Sequence, residues 1–96
     1  MGSSPERSPA HLIQYQVVFK ESAAKSLSKL PKKIQRRIQG VITTLESNPL
    51  PPVALKLTGR DAYRIRVSDY RIIYSIDGNI LTVVVVAIGH RREIYL

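Results

Sequence analysis

Every cation after Lys56 in this 96-residue chain is an arginine: Arg60, Arg64, Arg66, Arg71, Arg91 and Arg92. Arginine is planar, permanently charged and carries a fork of N–H donors that matches a phosphate. A cluster of such groups can grip a phosphodiester and stabilise charge that builds on its oxygens. The cations of residues 20–48 are mostly lysines: Lys20, Lys25, Lys29, Lys32 and Lys33, with Arg36 and Arg37. They fit either a solvated helix face or a second, less selective contact to a polyanion.

The net charge of +8 points to an acidic partner: nucleic acid, an acidic protein segment or an anionic membrane. Other chemistries are excluded or unsupported. With no cysteine there is no disulfide scaffold, thiolate metal site or cysteine nucleophile. The two histidines, His11 and His90, lie too far apart to suggest a zinc site, so neither metal nor cofactor is expected. The longest apolar run, Ile80–Ile88, is half of what a membrane-crossing helix needs, and no basic-then-apolar leader opens the chain. A soluble cytoplasmic protein without a membrane partner is expected.

The elements that must position the arginines follow from pattern. Residues 1–11 are rich in Ser and Pro and read as a disordered arm, leaving residues 12–96 as a single domain. QYQVVF, residues 14–19, is aromatic and β-branched, which predicts a strand. A helix opens at Glu21 and ends near Leu30, and Pro31 suits the first turn of a second. There Ile34, Ile38, Val41, Ile42 and Leu45 form one apolar stripe at helical spacing. Asn48 to Pro52 stops that helix. Strands are predicted over Ala62–Val67, Tyr70–Ile76 and Ile80–Ile88, the last central and covered on both faces. Asp77-Gly78-Asn79 makes the turn between the last two. The fold class is α+β, ordered β-α-α-β-β-β, with an αα-hairpin on one face of a mostly antiparallel sheet.

Register sharpens the arginine argument. If Ser68-Asp69 is a two-residue hairpin loop, Ile65 pairs with Ile72 and Tyr63 with Tyr74, which makes an apolar face for the helices. On the other face Arg66 stands across from Arg71, with Arg64 one step along beside Ile73. Like charges directly opposite on a sheet destabilise it, so the pair suits an anion held between them. The last segment, with His90, Arg91 and Tyr95, is expected to emerge beside this pair. Tyr95 could then stack on a base. Histidine is the side chain type suited to proton transfer near neutrality, so His90 is either a proton acceptor or a structural histidine at a strand end.

Three stretches, YQVVFKESAAKSLSKLP, LKLTGRDAYRIRVSDYRIIYSI and VVVVAIGHRREIY, resemble the RelE/ParE superfamily of type II toxins. The resemblance runs from Tyr15 to Tyr95, and the terminal GHRREIY is closest to the RelE-like branch. It implies the β-α-α-β-β-β fold and a ribosome-dependent, metal-independent endoribonuclease that cuts mRNA in the ribosomal A site. A cognate antitoxin would neutralise it. Carried over by motif, the catalytic residues are Arg64, Arg66, Arg71, Arg91 and Tyr95. RNA or ribosome contacts are expected from Lys29, Lys32, Lys33, Arg36, Arg37, Lys56, Arg60 and Arg92. The better-known members carry lysine where Arg64 and Arg66 stand, and arginine cannot take lysine's place in proton transfer. Two rival functions share the fold and the basic surface: a ParE-like inhibitor of DNA gyrase, and an RNA-binding module without catalysis.

Overall fold

The computed structural model describes residues 13–90. The elements are β1 (Gln16–Phe19), α1 (Glu21–Ser28), α2 (Lys32–Leu45), β2 (Leu55–Lys56), β3 (Tyr63–Val67), β4 (Tyr70–Asp77) and β5 (Thr82–His90). The five strands form one mixed sheet in the order β1-β5-β4-β3-β2. Both helices pack on one face, as expected for the α+β class. No helix among the described residues is long and apolar enough to cross a membrane.

The helices form where their apolar residues recur at helical spacing. Ala23 and Leu27 of α1, and Ile38, Ile42 and Leu45 of α2, are buried against the sheet. Glu21 sits in the first turn of α1, where a carboxylate favours the helix dipole. Pro31 is the N-cap of α2 rather than its first residue. The Gln35 amide donates to the carbonyls of Ser28 (3.2 Å) and Leu30 (2.8 Å), which satisfies acceptors orphaned at the end of α1. The Tyr15 N–H donates to the Glu46 carbonyl (2.7 Å) and so ties the entry of β1 to the exit of α2.

The core is the helix-facing side of the sheet: Ile65 and Val67, Ile72 and Tyr74, Val83, Val85 and Ile88. Tyr74 is fully buried, and its hydroxyl donates to the Pro49 carbonyl (2.7 Å). Burial pushes this phenol up to about 12, with Tyr63 adding a smaller repulsive contribution. The bond anchors the connector after α2 to the middle of the sheet.

The structure corrects three expectations. A two-residue strand, β2, adds to the edge of β3, pairing Leu55 with Arg64 and Lys56 with Tyr63. Strand β1 pairs with β5 in parallel, the one parallel ladder among the described residues, which keeps the sheet mostly antiparallel as expected. The last strand begins at Thr82 rather than Ile80. The Asp77 side chain accepts from the N–H groups of Asn79 (3.0 Å) and Ile80 (3.4 Å), and Leu81 adopts φ 48. The turn thereby absorbs Ile80 and Leu81, which stay exposed. Strand β5 is flanked on both edges, but among the described residues a helical layer covers one face only, and Val84, Val86 and Ala87 are half-exposed. The expected arm over residues 1–11 lies outside the described residues.

Candidate functional site: an arginine face on the open side of the sheet

The hairpin β3–β4 has the register expected from its two-residue loop. Tyr63 pairs with Tyr74, Arg64 with Ile73, Ile65 with Ile72, Arg66 with Arg71 and Val67 with Tyr70. Ser68 takes the left-handed conformation, φ 57, that closes so tight a turn. Alternation then sends Ile65, Val67, Ile72 and Tyr74 to the helices and Arg64, Arg66 and Arg71 to the opposite face, which is open among the described residues in that no helix covers it. A slip of one residue would exchange the two sets.

On that face Arg66 is exposed, while Arg64 and Arg71 are half-buried. Among the described residues none of the three guanidinium groups makes a hydrogen bond or ion pair. The ion pair recorded there joins Lys25 to Glu21 on exposed α1. The Arg71 Nε is buried without a hydrogen-bond partner. Three cations with unused donors thus share one side of a sheet, above a floor that includes the buried Ile73. An acceptor with several oxygens, such as a phosphate, matches this set of donors.

Strand β5 completes the face in an unexpected way. From Asp77 to Tyr74 it pairs regularly with β4, but Ile73 pairs with Ala87 while Tyr74 pairs with Val85. Val86 is the extra residue of a β-bulge, and it reverses the alternation beyond it. Val83 and Val85 face the helices before the bulge; Ile88 and His90 do so after it. His90 therefore pairs with Tyr70 on the helix side, in edge-to-face contact at 5.5 Å between ring centroids. It faces away from Arg64, Arg66 and Arg71, on the side of the structural alternative. The residue that reaches the arginine face next to Arg71 is Gly89.

The remaining predicted contacts divide by side. Lys29, Lys32, Lys33, Arg36 and Arg37 are exposed on the helix layer, across the sheet from the arginine face. Arg37 reaches a groove shared with the other side. That groove holds about 550 Å³ between α2 and the β3 edge, lined by Val41, Pro51, Val53 and Ile65 with Arg37 and Arg66. Lys56 is exposed on β2, and Arg60 is exposed in the loop before β3. Leu55, which pairs with Arg64, was not anticipated; it is 54% exposed and adds an apolar flank to the arginine side. Arg91, Arg92 and Tyr95 lie outside the described residues.

The ParE toxin family of type II toxin-antitoxin systems, parDE, matches residues 17–95. The chain belongs to the RelE/ParE superfamily of type II toxins. It is 39% identical over 84 residues to a RelE-like toxin protein of Escherichia coli, covering 84% of this chain and 87% of that one. Among solved structures it resembles the toxin-antitoxin complex RelBE2 of Mycobacterium tuberculosis, with a TM-score of 0.73 and 30% identity. That match covers 82% of this chain and 100% of that one. The archaeal RelE–RelB complex of Pyrococcus horikoshii gives a TM-score of 0.71 and 31% identity, covering 84% and 99%. Within the superfamily these likenesses are to RelE toxins.

Proposed function

We propose that this RelE-family toxin is a ribosome-dependent endoribonuclease that cuts mRNA in the A site and so stops translation. The observation that carries the reading is the Arg66–Arg71 cross-strand pair, with Arg64 beside it and no carboxylate partner among the described residues. The RNA 2′-oxygen attacks the adjacent phosphorus as its proton passes to water. The bond to the 5′-oxygen breaks, that oxygen takes up a proton, and a 2′,3′-cyclic phosphate and a 5′-hydroxyl remain. Arg64, Arg66 and Arg71 orient the phosphate and stabilise its equatorial oxygens, joined by Arg91 as the family motif implies. Tyr95 stacks on a base or protonates the leaving oxygen. None of the three described arginines can accept the 2′-proton, and His90 is turned away, so these groups work through charge.

The helix cations, with Lys56, Arg60 and Arg92, hold ribosomal RNA backbone rather than the scissile linkage. The partner that silences the toxin is a cognate antitoxin, since the M. tuberculosis and P. horikoshii relatives are complexes with antitoxins. An acidic segment would fold over the arginine face or the helix hairpin and block the site by charge and bulk. The toxin acts in the cytoplasm, where ribosomes are.

A second reading, inhibition of DNA gyrase, draws on the match to the ParE family. Purified protein assayed in parallel on programmed ribosomes and on gyrase supercoiling separates the two. Cleaved mRNA with untouched supercoiling is expected. Blocked supercoiling with intact mRNA would establish the gyrase reading, and RNA binding without product would leave a binding module.

A further inference from the structure

Gly89 lies inside β5, directly across from Arg71, and completes a row of three neighbours on the open face: Arg66, Arg71 and Gly89. The backbone does not call for glycine there. Gly59 is the glycine with positive φ among the described residues; Gly89 sits in regular strand. A glycine inside a strand costs roughly 0.5–1 kcal/mol relative to alanine, and in such a place it marks close approach by something else. Arg71 meets a like charge on one side, at Arg66, and an absent side chain on the other, at Gly89. Its Nε is nevertheless buried without a partner, and Gly89 itself is buried.

We infer that Gly89 is a positioning residue for Arg71: the missing side chain leaves a lane on β5 along which the arginine lies flat. The stem and Nε settle onto the sheet, away from Arg66, and the terminal N–H groups are left to meet the ligand. The bulge at Val86 is what delivers glycine to this position, since regular alternation from Val85 would bring Ile88 or His90 to the arginine face instead. A side chain at position 89 would lift the guanidinium off the sheet and push it towards Arg66. Strand propensity favours alanine over glycine, whereas valine at this buried position also carries an overpacking cost. The role assigned to Arg71 as a phosphate ligand rests on the ribonuclease reading; its placement by Gly89 does not.

The test compares full-length wild type, Gly89→Ala, Gly89→Val, Arg71→Ala and the Gly89→Val/Arg71→Ala double variant. Labelling with a dicarbonyl reagent and mass spectrometry reads the placement directly. Arg71 should react more slowly than Arg66 in the wild type and approach the Arg66 rate in Gly89→Val, with Gly89→Ala between. Thermal unfolding should show a melting temperature near wild type for Gly89→Ala and a lower one for Gly89→Val, so the labelling is read on folded protein below both. Binding of a short single-stranded RNA over a salt series reads the consequence. Gly89→Val should weaken binding about as much as Arg71→Ala, lower the log–log salt slope by about 0.7, and cost nothing further in the double variant. Arg71 labelling unchanged by Gly89→Val would overturn the inference, as would fully additive losses in the double variant. If Gly89→Val does not fold, Gly89→Ala supplies the same comparisons. Failure of wild type to bind RNA would overturn the phosphate reading, while the labelling would still decide the placement of Arg71.

Discussion

Arg66 and Arg71 stand directly opposite each other on the open face of the sheet, two like charges at a spacing that costs stability. The cost follows from a register set by the two-residue turn at Ser68 and Asp69. Replacing Arg66 by threonine should therefore stabilise the free protein by about 0.2–1 kcal/mol while weakening its hold on RNA. The gain should shrink as salt screens the pair. Thermal unfolding at low and high ionic strength checks both parts; a destabilised Arg66→Thr would contradict the repulsion.

Position on the sheet separates Arg71 from His90, although both belong to paired strands at the same end. Loss of one organised donor from the charged face should slow cleavage on the order of 10²–10³, so Arg71→Ala should fall in that range. His90→Ala should keep its rate and the shape of its pH profile near neutrality. Its effect should be read instead in stability, through the lost contact with Tyr70. A collapse of cleavage in His90→Ala with an intact melting curve would return histidine to the mechanism.

Tyr74 links the floor of the sheet to the connector that lines the α2 groove. Tyr74→Phe removes its bond to the Pro49 carbonyl and should cost about 1 kcal/mol. The phenol also predicts a pH signature. Its folded pKa is about 12 against an ordinary value of 10.0, so the folded state keeps the proton longer than the unfolded chain. The stabilisation is complete below about pH 10 and is lost as pH rises towards about 12. Denaturant melts across that window should show a shallower loss in Tyr74→Phe than in wild type.

Ser68 pays for its left-handed backbone, which glycine adopts freely. Ser68→Gly should leave the register and the arginine face intact and raise stability by up to about 1 kcal/mol. Ser68→Val should lower stability and RNA affinity together, because a strained turn threatens the register that sorts the two faces. Matched melting curves and RNA titrations check the pair.

Much of this was legible in the sequence. Alternation in AYRIRV and YRIIYSI, with a turn of two residues between them, was enough to predict the Arg66–Arg71 pair and the apolar face behind it. The stripe in α2 was equally plain. What escaped was non-local or unpatterned. The run Val83 to Val86 is four identical residues, so no alternation announces that Val86 is a bulge. His90 was consequently expected with the arginines. The capping by Asp77 that drew Ile80 and Leu81 into the turn was masked by their apolar character. The parallel pairing of β1 with β5 joins distant segments, and the two residues of β2 are too few to show a period.

The most direct test of the arginine face is the single-turnover rate of mRNA cleavage on ribosomes with a defined A-site codon, measured for wild type and Arg71→Ala. The account predicts a cut within that codon by wild type, with cyclic phosphate ends, and a rate lower by about 10²–10³ in the variant. Equal rates for the two proteins would contradict it.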